Sequence, residues 1–255
     1  MSKVYKKPVL FIVFFTTLVL FSDFDYHSRI TEEPSLPYFD RIDDTKLLKR
    51  LFFKFMHPII ELENDLVLKQ RKQFLRLYQK WIRGERLLSW EMSLFERFAE
   101  LYFVNTQKYD IYMIFELLKR RIDIVPIELA LAQSANESAW GRSRFATEGN
   151  AMFGQWSFSK KNPGMVPKNR DPNAKHMVAK FPSIRASVKS YIKNLNTHSA
   201  YLAFRILRSQ TREEGVELDG QTLASGLINY SERRKLYVNE IRAIMKINKS
   251  LMNLD

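Results

Sequence analysis

Between residues 44 and 121, hydrophobic side chains recur every three or four positions, which is the spacing of helices that bury one face. The pattern predicts four helices. The first begins near Asp44, which can cap it, and breaks or kinks at Pro58, where a second helix follows. The third covers Ser89 to about Phe103, and the fourth covers Ile111 to Arg121. Side chains on such stripes usually form a core rather than bind a ligand.

The second half of the chain predicts further helices and one small hairpin. Pro126 is suited to the first turn of a helix that ends at Gly141. Glycines and prolines then interrupt about forty residues, within which 151–158 and 176–181 can pair as strands. Helix returns after Ser183, which can act as an N-cap. Later helices are predicted over residues 200–208, 221–228 and 235–248. The predicted fold class is mainly α with a small β-hairpin insertion.

The N-terminus has the pattern of an export signal. Three lysines within the first seven residues precede an uncharged apolar stretch at 8–21, which is shorter than the roughly 20 residues of a spanning helix. A small-x-small cleavage pattern is missing after it. We interpret residues 1–22 as an uncleaved or poorly cleaved signal anchor, with a buried core helix as the alternative. Residues 23–43 are polar, contain two prolines and are predicted to be a tether. The expected location is the periplasmic face of the inner membrane.

Composition narrows the possible partners. Forty-one basic and 28 acidic side chains give a formal charge of +13, which suits nucleic acid, anionic lipid or the acidic groups of a bacterial wall, and also suits a solvated surface. Zinc-finger, Walker and RNA-binding signatures are missing, and export would remove the chain from DNA, so we expect no nucleic-acid partner. The chain has no cysteine, which excludes thiolate chemistry, and its four histidines lack helical ligand spacing. We expect neither a metal nor a cofactor.

One carboxylate lies where a general acid could be built. The segment Leu129–Gly141 is rich in alanine and serine, which lets neighbouring elements approach closely. Glu137 falls in the last predicted turn, where the helix macrodipole disfavours an ionised carboxylate. Trp140 could add apolar cover and raise the pKa, whereas Arg142 and Arg144 would oppose this if they point inward. The position suits a protonated acid, although a lone glutamate near a helix end is more often a solvated surface residue.

Several blocks of sequence occur in an order known from one family. Residues 132–141 read Ala-Gln-Ser-Ala-Asn-Glu-Ser-Ala-Trp-Gly, and 149–156 read Gly-Asn-Ala-Met-Phe-Gly-Gln-Trp. Further blocks are Val-Ala-Lys-Phe at 178–181, Asn-Leu-Asn-Thr-His at 194–198 and Gly-Leu-Ile-Asn-Tyr-Ser-Glu-Arg at 226–233. Together they resemble the Bax branch of the bacterial glucosaminidases, which belong to the lysozyme-like superfamily and include the flagellar muramidases.

This resemblance implies both a fold and a substrate. The fold is a lysozyme-like α-lobe with a cleft, placed at residues 122–255 and preceded by a helical extension at 44–121. The substrate is the glycan strand of peptidoglycan, and the reaction is hydrolysis of the β-1,4 bond after N-acetylglucosamine. Lytic transglycosylase cleavage and a non-catalytic wall-binding scaffold are the alternatives.

The resemblance also assigns roles to matching residues. It makes Glu137 the general acid and Tyr230 the tyrosine that approaches the reacting sugar, with Tyr237 as the alternative to Tyr230. Gln133 lies one helical turn before Glu137, so it is expected to hydrogen-bond the acid or a sugar hydroxyl.

Four residues near the hairpin complete the predicted substrate-binding set. Asn150 and Gly154 suit tight turns because both tolerate a positive φ, and their role could be purely conformational. Phe153 and Trp156 offer rings that could stack on sugars, or could instead form a local core.

The second carboxylate of a glycosidase is harder to place. The position where relatives often carry a glutamate falls at or near Met177, which cannot serve. Asp171 and Glu148 are the nearest substitutes. Three alternatives for the second step therefore stay open: a water held by Tyr230, assistance from the N-acetyl group of the substrate, or a weakened enzyme.

Overall fold

The computed structural model describes residues 34–157, 164–166 and 177–252, and these are predominantly helical. Two short strands, β1 (Trp156–Ser157) and β2 (Met177–Val178), pair antiparallel with Trp156 opposite Val178. The α-helices are α1 (Thr45–Ile82), α2 (Ser89–Leu101), α3 (Ile111–Arg121), α4 (Ile127–Glu137), α5 (Arg144–Gly149), α6 (Ile184–Thr197), α7 (Leu202–Glu213), α8 (Gly220–Leu223), α9 (Lys235–Ile247) and α10 (Lys249–Met252). Short 3₁₀ turns cover Phe39–Arg41, Ser199–Tyr201 and Ala224–Leu227. The prediction of a mainly α fold with a small hairpin is confirmed.

Helix α1 is one continuous helix of 38 residues, so of the two predicted alternatives at Pro58, a break or a kink, the break is wrong. Proline inside a helix removes one backbone hydrogen bond and costs about 3 kcal/mol. Pro58 is followed directly by the buried Ile59 and Ile60, whose packing against the core compensates for this cost. The predicted cap is present, because the backbone N–H of Leu47 donates to Asp44 Oδ1 at 2.6 Å.

Helix α1 contributes to two hydrophobic clusters. Its N-terminal half places Phe52 and Phe53 in the larger cluster, which also contains side chains of α4, α6 and α9. Its C-terminal half places Phe74 and Leu77 in a smaller cluster with α2 and α3. At about 1.5 Å per residue, α1 is roughly 57 Å long, which is enough to serve both clusters.

A buried polar group joins α1, α7 and the segment that leads into α4. Asp123 is 2% exposed and pairs with Arg71 of α1 at 3.4 Å and with Arg212 of α7 at 3.0 Å. Arg208, also buried, donates to the carbonyl oxygens of Asp123 and Ile124. Burial alone would raise the pKa of Asp123, but Arg208, Arg212 and Arg71 hold it below its ordinary value. These contacts fix the start of α4.

The predicted signal anchor at residues 1–22 and most of the predicted tether lie outside the described residues. Phe39, in the last part of that tether, is buried against Phe52 with a ring-centroid distance of 5.6 Å. None of the helices in the described ranges combines the length and the apolar composition that crossing a membrane requires.

Candidate active site

Helix α4 is enclosed by its neighbours and ends earlier than the sequence predicts. All residues from Leu129 to Ala135 are buried, and the small side chains let α1 and α9 pack closely. The last helical residue is Glu137 rather than Gly141. Ser138 ends the helix, since its hydroxyl donates to the Ser134 carbonyl at 2.6 Å and accepts from the Gly141 N–H at 2.8 Å. Glu137 therefore lies at the negative end of the helix macrodipole.

The carboxyl group of Glu137 is partly withdrawn from water. Burial raises the pKa of Glu137, while hydrogen bonding by Tyr237 and Asn136 and the charge of Arg233 act in the opposite direction. The Asn136 amide donates to Glu137 Oε1 at 3.3 Å. The charge of Glu240 adds to the raising effect of burial. The net result is a pKa above the ordinary glutamate value, as a proton donor near neutral pH requires.

The side chains that were expected to influence Glu137 point elsewhere. Trp140 packs on Phe53 of α1 at a ring-centroid distance of 5.3 Å. Arg142 donates to the backbone carbonyls of Phe39 and Ile42, and Arg144 donates to the carbonyl of Val166 at 2.6 Å. Apart from its neighbour Asn136, the groups that act on Glu137 come instead from α9 and the loop before it.

The segment after α5 brings its backbone against the acid. Asn150 has φ of 53° and donates from its side chain to the Phe181 carbonyl at 3.0 Å, which ties this segment to the residues before α6. Gly154 has φ of +58°, and a Cβ atom at this position would lie 2.9 Å from Glu137 Oε2. Only glycine leaves the carboxylate its present position.

Behind the acid, a completely buried glutamine joins two tyrosines. Gln133 is 0% exposed, its Nε2 donates to the Tyr237 hydroxyl at 2.8 Å, and its Oε1 accepts from the Tyr191 hydroxyl at 2.6 Å. The ring of Tyr191 stacks on Phe153 at a centroid distance of 3.8 Å. Both polar ends of Gln133 are therefore engaged inside the protein, and Phe153 is itself buried.

The two tyrosines that the sequence offered for one role have different partners. The Tyr230 hydroxyl donates to the Phe153 carbonyl at 2.8 Å, so it holds the loop before α9 against the segment that carries Gly154. The Tyr237 hydroxyl interacts with Glu137. The two rings stack with a centroid distance of 5.3 Å. Tyr191 was missed as a site residue because its place on the apolar stripe of α6 indicates core.

The candidates for a second carboxylate are also located. Glu148 is exposed and pairs with Arg144 at 3.4 Å, and Asp171 lies outside the described residues. Met177 pairs with Ser157 in the hairpin. Sequence reasoning missed Glu240, whose two oxygens accept from Arg233, each at 2.5 Å.

Two further features of the described residues bear on binding. Trp156 is 51% exposed at the start of the hairpin. A surface groove of about 540 Å³ lies between the C-terminal end of α1, α2 and the start of α3, and another of about 650 Å³ lies between α2, the loop after it and α3. Neither lining contains a residue named above as a site residue. In the described ranges, no group of three or more histidine, aspartate or glutamate side chains is arranged to hold a metal.

Comparison with known proteins identifies the family of the chain. The family model for glucosaminidase, described as mannosyl-glycoprotein endo-beta-N-acetylglucosaminidase, matches residues 113–250, which is more than half of the chain. The chain belongs to the glucosaminidase family. The matched region of this glucosaminidase contains α4, the hairpin and α9.

A curated relative extends the similarity beyond the family domain. Protein bax of Escherichia coli (strain K12) is 28% identical over 233 residues, which cover 89% of this chain and 80% of the relative. The similarity therefore includes most of the helices that precede the glucosaminidase match. No solved structure matches the chain. Together, the comparisons support a glycosidase-type enzyme that acts on peptidoglycan.

Proposed function

We propose that the chain hydrolyses the β-1,4 bond after N-acetylglucosamine in the glycan strands of peptidoglycan, with Glu137 as the general acid. The observation that carries this proposal is the position of Glu137. It is the last residue of α4, burial raises its pKa, and its carboxylate lies against the backbone of Gly154. A raised pKa favours the protonated carboxyl group, which can protonate a leaving sugar oxygen.

The proposed first step transfers the proton of Glu137 to the glycosidic oxygen while the bond from that oxygen to the anomeric carbon breaks. The leaving sugar departs as an alcohol, and Glu137 becomes a carboxylate. Positive charge develops at the anomeric carbon, as expected for glycoside hydrolysis. Water finally adds its oxygen to the anomeric carbon and returns a proton to Glu137.

The neighbours of Glu137 favour assistance from the substrate in the second step. Arg233 engages both oxygens of Glu240, and the Tyr230 hydroxyl donates its proton to the Phe153 carbonyl. Neither the Glu240 carboxylate nor the Tyr230 hydroxyl is therefore poised as a nucleophile. The N-acetyl oxygen of the substrate can instead attack the anomeric carbon and be displaced by water. Among the described residues, Glu137 is the carboxylate placed to work, and a site with one such group also suits lytic transglycosylase cleavage, which is therefore the second candidate function.

We assign binding roles by exposure. Trp156, half exposed at the start of the hairpin, is the proposed platform for a sugar ring. Phe153 and Gln133 are buried, so we propose that they support the site from behind. Asn150 and Gly154 set the path of the backbone beside the acid.

The nature of the cleaved ends tests the proposal. Purified peptidoglycan is digested with the full chain, and the fragments are analysed by mass spectrometry. Reducing N-acetylglucosamine ends support the proposed hydrolysis, whereas anhydromuramic ends support the transglycosylase. If the wild type releases fragments and Glu137→Gln does not, the activity belongs to this site. Binding to walls without release by either protein supports a scaffold.

We further propose that residues 1–22 anchor the enzyme so that it faces the periplasm, where its proposed substrate lies. The basis is the lysine cluster followed by the uncharged stretch at 8–21. Cell fractionation with external protease tests this. If the chain is found in the cytoplasmic fraction and is protected from the protease, the proposed anchoring is contradicted.

A further inference from the structure

Gln133, Tyr191 and Tyr237 form a hydrogen-bond chain with a fixed direction. The Tyr191 hydroxyl donates to Gln133 Oε1 at 2.6 Å, and Gln133 Nε2 donates to the Tyr237 hydroxyl oxygen at 2.8 Å. Burial and the charge of Glu137 raise the pKa of both tyrosines well above the ordinary value, so both keep their protons. Each hydroxyl therefore has one proton to place.

Burial of Tyr191 decides the orientation of the amide. Tyr191 is 0% exposed, and Gln133 Oε1 is the acceptor that the structure gives its hydroxyl proton. If the amide were rotated by half a turn, its NH₂ group would face Tyr191, and the buried hydroxyl proton would lose its acceptor. An unsatisfied buried donor is costly. The amide is thus held with its nitrogen towards Tyr237.

The orientation of the amide in turn directs Tyr237. Because the Tyr237 oxygen accepts from Gln133, its own proton must go to another acceptor, and the neighbouring acceptor is the Glu137 carboxyl group. We propose that Gln133 and Tyr191 are positioning residues, which aim the Tyr237 hydroxyl proton at one oxygen of Glu137. The catalytic proton then resides on the other oxygen, where it can reach the glycosidic bond. This inference rests on the proposed function.

Other groups also act on the acid, and they set the background for a test. The titratable or charged groups that interact with Glu137 are Tyr191, Tyr201, Tyr230, Arg233, Tyr237 and Glu240. Changes at Tyr191 or Gln133 leave Arg233 and Glu240 in place. A shift in titration of Glu137 can then be attributed to the hydrogen-bond chain.

The test compares pH profiles of kcat/KM for wild type, Tyr191→Phe and Gln133→Leu on soluble wall glycan. Tyr191→Phe removes one hydroxyl and keeps the ring that stacks on Phe153. A hydrogen bond donated by Tyr237 stabilises the ionised form of Glu137. Loss of this hydrogen bond should therefore raise the pKa of Glu137 and move the alkaline limb of the kcat/KM profile upward by about one pH unit. Tyr191→Phe should show this shift, because the amide can then rotate and accept the Tyr237 proton on Gln133 Oε1. Gln133→Leu offers Tyr237 no such acceptor, so Tyr237 should still donate to Glu137 and the limb should stay in place. A carbon-13 NMR titration of the Glu137 carboxyl should show the same difference between the variants without reference to turnover.

Tyr102→Phe is the matched control, because Tyr102 is another buried tyrosine whose hydroxyl donates to a glutamine oxygen, that of Gln70, at 2.5 Å. It lies in the smaller cluster and should leave the pH profile unchanged. If Gln133→Leu fails to fold, Tyr191→Phe still decides. An unshifted alkaline limb and an unshifted Glu137 titration in folded Tyr191→Phe overturn the positioning role, and so does an equal shift in folded Gln133→Leu. Wild-type activity in Glu137→Gln overturns the proposed function instead, so the two failures are distinguishable.

Discussion

Replacing Gly154 with alanine separates backbone strain from displacement of the acid. Gly154 has φ of +58°, a conformation that costs a non-glycine residue about 1–2 kcal/mol. That cost corresponds to a fall in melting temperature of roughly 2–8 °C for a protein of this size. The added Cβ would also lie 2.9 Å from Glu137 Oε2, so the carboxylate must move. Displacement of a reacting group by about 1 Å can reduce the rate on the order of 100-fold.

Two other glycines are matched controls. Gly84 and Gly215 have φ of +73° and +70°, and a Cβ atom at either would meet nothing within 4 Å. All three alanine variants should lose similar stability in urea unfolding, but only Gly154→Ala should lose most of its rate of fragment release from purified walls. If Gly154→Ala releases fragments at the wild-type rate, the claim that residue 154 contacts a working acid is refuted. Equal loss of activity in Gly215→Ala would show that strain alone explains the defect.

Three further predictions follow from the same structure. Arg208→Met leaves the carbonyls of Asp123 and Ile124 without their buried donor, so it should lower the free energy of unfolding by about 3–5 kcal/mol in urea; a loss below about 1 kcal/mol contradicts this. The raised pKa of Glu137 stabilises the fold below the ordinary glutamate pKa, and this contribution is lost as pH rises through the raised value. Glu137→Gln should therefore melt higher than wild type at pH 8, with a gap that shrinks toward pH 4, and a constant gap refutes the linkage. Trp156→Ala should weaken binding to wall fragments in pelleting assays more than it changes kcat, whereas unchanged binding rules out the sugar platform.

Local signals in the sequence predicted most of the helices because their ends depend on nearby residues. Asp44 and Ser183 act as caps where predicted, and α3 has the predicted bounds of Ile111–Arg121. Pro58 led to the wrong prediction of a break in α1, because the packing of distant residues outweighs a local helix breaker. The early end of α4 was equally hidden, because Ala139 and Trp140 adopt positive φ without being glycine.

The surroundings of Glu137 depend on contacts between distant parts of the chain. The resemblance to a family drew attention to Glu137, but Gln133 meets Tyr191 and Tyr237 across separations of 58 and 104 residues. No periodicity or spacing in the sequence predicts such a chain of hydrogen bonds. The same holds for Arg208, since a buried arginine is recognisable only when the carbonyl groups around it are known.

The most direct test of the central claim is the initial rate at which Glu137→Gln releases fragments from purified peptidoglycan, measured beside wild type at one pH. Glutamine keeps the size of the side chain and removes the transferable proton. A general acid contributes about 10²–10⁴-fold, so the rate should fall by at least about 100-fold while the protein stays folded. A folded variant that works within about threefold of wild type contradicts the account, because some other group must then supply the proton.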